Sequence, residues 1–193
     1  MLFRSALEQE GVLVLGVLHF PILQETYTAI RGKGAFLNGK SIAASDCKKM
    51  ADALIAEIFS DRESRGKQVQ YPPTTAFRKY GSAITSLALV ASGRIDGTVL
   101  RCKRWDIAAG KLIIEEAGGT VTVRMDDESN PRSALTCIAS APALHEELCT
   151  YMDITREESP DRTERIAVIG LGFVGLPLAG TFAELGFSVT GMD

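Results

Sequence analysis

Gly11 to Phe20 is a nearly continuous apolar run that stops at Pro21. Its length, with Val12, Val14 and Val17 inside it, suits a buried strand better than a helix, so the chain is expected to build a sheet with this run in the middle. Glu25 to Ile30 alternates through Thr26, Tyr27 and Thr28; Arg31-Gly32-Lys33-Gly34 turns the chain, and Ala35-Phe36-Leu37 leads back to Asn38-Gly39, a strong hairpin dipeptide. Antiparallel strands joined by tight turns follow. The glycines of Arg31 to Gly34 invite a phosphate-cradle reading, but a P-loop needs four residues between its glycines and a helix behind them. Neither is present, and a plain turn is expected.

The next stretch reads as a strand edge running into a short helix (Ser45 to Met50), a strand (Ala53 to Phe59) and a polar loop (Asp61 to Thr75). From Gly81 the spacing becomes helical: Ser82, Ile84, Leu87, Ala88 and Val90 repeat until Gly93 stops them. Ile95 to Leu100 is expected to be a strand, Asp106 to Ala117 a helix ended by Gly118-Gly119, Thr120 to Val123 and Ala134 to Ser140 strands, and Pro142 to Tyr151 a helix. Residues 153–164 are acidic, carry Pro160 and have few apolar side chains, which reads as a linker. Beyond it, Arg165 to Ile169 suits a strand, Gly170 to Leu185 carries G-x-G-x-x-G and then helical periodicity, and Phe187 to Met192 suits a second strand.

Composition narrows the function. Lys plus Arg is 21 against 24 Asp plus Glu, a net charge of -3 that argues against a nucleic-acid backbone as the main partner. Cys47, Cys102, Cys137 and Cys149 lack the paired spacing of zinc sites and read as reduced thiols of a cytoplasmic protein. Ile166 to Ala183 carries no charge, but its glycines and Pro177 argue against a membrane helix. His19 and His145 stand far apart without a nucleophile signature, which disfavours Ser-His-Asp chemistry.

Trp105-Asp106-Ile107-Ala108-Ala109-Gly110 with Glu115-Glu116-Ala117-Gly118-Gly119 resembles the inositol monophosphatase family, Mg²⁺-dependent phosphatases of small phosphate esters. The likeness extends to Gly16 through Pro21, to Ala29 through Gly39 and to Gly81-Ser82-Ala83, and covers about residues 6–151. It implies a layered α/β sheet-and-helix fold, a small phosphorylated metabolite as substrate and a homodimer. It also implies that Asp106 is a metal ligand and that Gly81, Ser82 and Ala83 bind substrate through backbone amides and a hydroxyl. Read from the residues alone, Asp106 and Ser82 are equally helix caps, and the two roles are compatible, because a helix N-terminus stabilises a carboxylate that still faces a cleft.

Mg²⁺ chemistry needs several oxygen ligands. The family's Glu-rich and Asp-Pro-x-Asp-Gly-Thr motifs precede the strand that begins near Gly11, and neither occurs in this sequence. The expectation is therefore a phosphatase domain over residues 1–152 without its N-terminal portion, inactive as it stands. Asp96-Gly97-Thr98 imitates the second motif and is expected to be a solvent-edge turn. Thr98 to Arg104 lacks the acid that holds a substrate hydroxyl in inositol-specific members, and Arg101, Lys103 and Arg104 suggest an anionic substrate.

Ile166 to Ala179 resembles the start of the UDP-glucose and UDP-N-acetylmannosamine dehydrogenase family. The resemblance implies one βαβ unit of a Rossmann fold over residues 165–193, with Gly170, Gly172 and Gly175 at the pyrophosphate and Asp193 on the ribose. NAD enters only if that domain were complete. Two further readings stand beside the fused phosphatase: a non-catalytic fragment or interaction module, and a fragment of an NAD-dependent UDP-sugar dehydrogenase.

Overall fold

The computed structural model describes residues 2–56, 72–127, 129–130, 132–157, 165–169 and 188–192. The apolar run lies where alternation places it: β2 (Val12–Phe20) sits between β1 (Phe3–Gln9) and β3 (Glu25–Ile30), and β4 (Ala35–Leu37) and β5 (Lys40–Ile42) complete an antiparallel meander. Glu10 and Gly11, and again Asn38 and Gly39, adopt positive φ, the backbone hand that tight hairpins require. The run is not buried throughout. Gly16, Leu18 and Phe20 point into the core, and the alternate face is partly exposed. β1, which the sequence reading did not foresee, is an edge strand exposed along its whole length.

A second, mixed sheet runs in the order β7 (Ala76–Arg78), β6 (Leu54–Ala56), β8 (Gly97–Cys102), β10 (Leu135–Ser140) and β9 (Thr120–Met125). Strands β6, β7 and β8 are parallel, and β10 pairs antiparallel with both β8 and β9. Helix α1 (Ala83–Ala91) packs on β8 and β10, whereas α2 (Arg104–Glu116) touches strands of both sheets. Helix α3 (His145–Glu157) covers the opposite side of β10. The layers are sheet, helix pair, sheet, helix.

The main core lies between the two sheets, around Leu87, Leu112, Ile113 and Ile114, all fully buried. Each such side chain contributes about 2 kcal/mol of transfer free energy. A smaller cluster of Ile55, Val99, Ile138, Leu144 and Leu148 fills the space under α3. Two glycines let the layers close. A Cβ on Gly16 of β2 would stand 2.8 Å from the Ala109 carbonyl oxygen of α2, and one on Gly110 would stand 2.7 Å from Leu87 of α1.

Three expectations are corrected here. Asp96 is not a solvent-edge turn residue: its carboxylate accepts the Leu54 N–H (2.7 Å) and the Ser45 hydroxyl (2.5 Å), and Gly97 and Thr98 lie buried in β8. The imitation of a metal motif is a staple between strands. Helix α3 runs to Glu157, into the expected linker, and residues 158–164 lie outside the described residues. The expected Rossmann βαβ unit is also set aside. Among the described residues the segment gives β11 (Arg165–Ile169) and β12 (Ser188–Met192), paired in parallel, while Gly170, Gly172, Gly175 and Asp193 lie outside them. Among the described residues these two strands form a sheet of their own, separate from the two five-stranded sheets, and no dinucleotide site is described there. What the structure does give is a layered α/β sheet-and-helix fold.

The Gly16 contact yields a test. Gly16→Ala is expected to lower unfolding free energy by about 2 kcal/mol in urea titration, because the opposing atom is backbone and cannot swing aside. A change within 0.5 kcal/mol would contradict the close approach.

Candidate functional site

The chain leaves β7 to start α1 and leaves β8 to start α2, so both helices begin at the edge where parallel strands end. That edge is where open α/β sheets bind ligands. Two segments singled out from the sequence lie at that edge, Gly81-Ser82-Ala83 at the start of α1 and Trp105-Asp106 in the first turn of α2.

Ser82 is extended and its Oγ accepts the Thr85 N–H at 3.4 Å, an N-cap. Gly81 before it has φ +66°, and a Cβ there would meet nothing within 4 Å. Ala83 is the first residue of the helix.

Asp106 lies at the third position of α2, where a carboxylate complements the helix dipole. Its Oδ2 accepts the Lys103 N–H (3.1 Å), and its Oδ1 pairs with the Arg4 guanidinium of β1 (2.9 Å). Arg4 Nε also donates to the Trp105 carbonyl (3.0 Å), and Glu8 of the same strand pairs with Arg104 (3.2 Å). The Trp105 side chain stays half exposed. The three cations expected to face an anion are thus engaged: Arg104 with Glu8, Arg101 with Asp126, and Lys103 Nζ with the Arg132 carbonyl (2.9 Å).

Among the described residues no three His, Cys, Asp or Glu side chains gather as a metal-binding group, and no buried side-chain nitrogen or oxygen lacks a partner. The described residues therefore do not form a Mg²⁺ site on their own. Asp106 is a single carboxylate, with one oxygen on a guanidinium and the other on a backbone amide.

Two side-chain contacts escaped the sequence reading. Arg31–Gly34 is the expected turn, and its amides are filled from within the chain: the N–H groups of Gly32 and Gly34 donate to the two oxygens of Glu116 at 2.8 and 2.9 Å. Glu116 ends α2, where a negative charge opposes the helix dipole, and the turn amides, that of Gly32 first, hold its carboxyl below the usual range. His145 sits between Thr122 Oγ1 (Nε2, 2.8 Å) and Ser140 Oγ (Nδ1, 3.0 Å). The Ser140 hydroxyl donates to the Ala141 carbonyl, so it accepts from Nδ1–H, and burial pushes the imidazole pKa down. This is a neutral structural histidine between β9 and β10.

The family model described as the inositol monophosphatase family matches residues 6–157. The chain belongs to the inositol monophosphatase family. It is 36% identical over 153 residues to a fructose-1,6-bisphosphatase/inositol-1-monophosphatase of Thermotoga maritima, covering 78% of this chain and 59% of that protein. It is 34% identical over 154 residues to the Nus factor SuhB of Pasteurella multocida, covering 74% and 56%. The solved inositol monophosphatase of Anabaena (Nostoc) superposes with a TM-score of 0.66 at 28% identity, over 78% of this chain and 65% of that one. The chain thus spans just over half the length of these curated relatives.

These findings correct the reading of a phosphatase fused to a dehydrogenase. One family accounts for the chain from residue 6 to 157. NAD, the nucleotide-sugar dehydrogenase resemblance and the glycine signature at Gly170, Gly172 and Gly175 have no support from them. A short glycine signature constrains a turn and a helix start, and so arises without the domain that would use it.

The filled turn predicts an acid-sensitive contact. A carboxyl held below its usual range stabilises the fold above that range, and the contribution is lost as pH falls through the lowered value. Glu116→Gln is expected to cost about 1 kcal/mol at pH 7, with a smaller difference from the unsubstituted protein at pH 3. An equal difference at both pH values in thermal unfolding would contradict it.

Proposed function

We propose that the protein carrying this sequence is a Mg²⁺-dependent phosphomonoesterase acting on a small phosphorylated metabolite, and that the shared edge of α1 and α2 is this chain's part of the site. The observation that carries the reading is the juxtaposition of two helix starts at the C-terminal edge of β6, β7 and β8, one with Gly81-Ser82-Ala83 and the other with Asp106. Bound Mg²⁺ polarises phosphoryl oxygens and lowers the pKa of its water.

The chain's own residues have separate tasks in this reading. Asp106 offers a carboxylate to the metal. The start of α1 offers backbone N–H groups, and Ser82 a hydroxyl, to the phosphate oxygens, which a helix N-terminus suits by its dipole. No acid lies between Thr98 and Arg104 to hold a sugar hydroxyl, so specificity rests on other contacts. Among the described residues no helix is long and apolar enough to cross a membrane.

Phosphate release from small monoesters, followed against Mg²⁺ concentration, tests the reading. Asp106→Asn is expected to lower turnover at least about a hundredfold, above the range for losing a group that merely orients a ligand, with an unchanged circular dichroism spectrum. Unaltered turnover at saturating Mg²⁺ would overturn the role of Asp106.

A further inference from the structure

We propose that His145 is a proton-operated latch: its neutral ring ties the start of α3 to the mixed sheet, and protonation loosens that attachment.

His145 is the first residue of α3, reached from β10 through the short 3₁₀ turn Pro142–Leu144. Its ring spans two strands. Nδ1 lies 3.0 Å from Ser140 Oγ at the end of β10, and Nε2 lies 2.8 Å from Thr122 Oγ1 on β9. The neighbours decide where the proton sits. Because the Ser140 hydroxyl donates to the Ala141 carbonyl, Nδ1 carries the hydrogen of the neutral ring, and Nε2 is left to accept from the Thr122 hydroxyl. A second proton takes that acceptor away. Thr122 must then turn its own hydrogen elsewhere, and a cation is held at the positive end of a helix.

Among the described residues no carboxylate pairs with the ring, and burial alone pushes its pKa down. Glu146 and Glu147 follow it in α3 but are exposed, whereas the ring is buried. Cys149 and Tyr151 lie further along the helix. Arg124, on the same face of β9 as Thr122, is itself a cation, and the residues on that face of β10, Thr136, Ile138 and Ser140, are uncharged.

The rest of α3 sets how far the latch opens. Leu144, Leu148 and Met152 are buried against Ile55, Val99 and Ile138, and that burial keeps the helix docked when the ring is charged. Acid therefore raises the frequency of opening and does not strip the helix from the sheet. The histidine of an opened helix has an ordinary pKa, so the contribution of the neutral ring is complete above about pH 6.5 and is lost as pH falls below it. A docked ring that stayed neutral throughout would raise the opening equilibrium about thirtyfold between pH 7.5 and pH 5.

Amide hydrogen exchange of Leu148 and Met152, corrected for the chemical rate at each pH, reads that opening. In the unsubstituted protein it is expected to be several-fold to about thirtyfold more frequent at pH 5 than at pH 7.5. His145→Asn keeps an amide donor for Ser140 and does not titrate, and its opening is expected to differ by less than about twofold between the two pH values. An equal pH response in His145→Asn would overturn the latch. The unsubstituted protein supplies a second reading that needs no variant, because its two histidines give separable imidazole signals in nuclear magnetic resonance. The His145 ring is expected to take its proton at a lower pH in the folded protein than in urea. Protonation at the same or a higher pH in the folded protein would overturn the latch as well.

Discussion

The close contact of Gly16 with the Ala109 carbonyl is the constraint on which the layering depends. A helix normally stands about 10 Å from a sheet because side chains fill the gap; here the missing Cβ lets backbone meet backbone. Helix α2 is thereby pinned to the antiparallel meander on one side, while Leu112, Ile113 and Ile114 join it to the core shared with the mixed sheet. Gly110 repeats the device toward Leu87 of α1. With both faces of α2 fixed, its two ends are fixed too, and each end holds a bonded carboxylate.

At one end Glu116 faces the wrong pole of the helix dipole and is stabilised by the amides of the Arg31–Gly34 turn. At the other end Asp106 faces the favourable pole and holds Arg4. Both contacts tie α2 to the meander, one through β3 and β4, the other through β1. The C-terminal end closes with a Schellman arrangement in which Gly119 N–H donates to the Ile114 carbonyl and Gly118 N–H to that of Glu115. The position of the Asp106 carboxylate is therefore a property of the whole layered fold and not of the Trp-Asp dipeptide alone.

Much of this was legible in residue order. Strand β2, the Asn38-Gly39 hairpin, α1 stopping at Gly93 and α2 stopping at Gly118-Gly119 all follow from periodicity and glycine placement, which are local properties. What stayed hidden was long-range. The exposed residues of β1 give no buried alternation to read, and the Arg4–Asp106 pair joins residues a hundred positions apart. The glycine turn was legible as a turn, but its carboxylate partner, Glu116, was not, because it comes from a helix far along the chain. Asp96 misled in the opposite direction: set aside as an imitation of the Asp-Pro-x-Asp-Gly-Thr motif on a solvent-edge turn, it is a carboxylate bound to Leu54 and Ser45. The G-x-G-x-x-G segment misled for a related reason: a short pattern fixes a local backbone shape and leaves the surrounding domain undetermined.

The account makes α2 the element that binds the two sheets into one cooperative unit and so positions the candidate site. Native-state hydrogen exchange across a denaturant series measures this directly. The amides of Leu112, Ile113 and Ile114 are expected to open with the same free energy and denaturant dependence as those of β2 and of β8, in a single global step. Exchange of β2 at a distinctly lower free energy than α2 and β8 would contradict the account, because it would show the meander detaching while the helix and the mixed sheet persist.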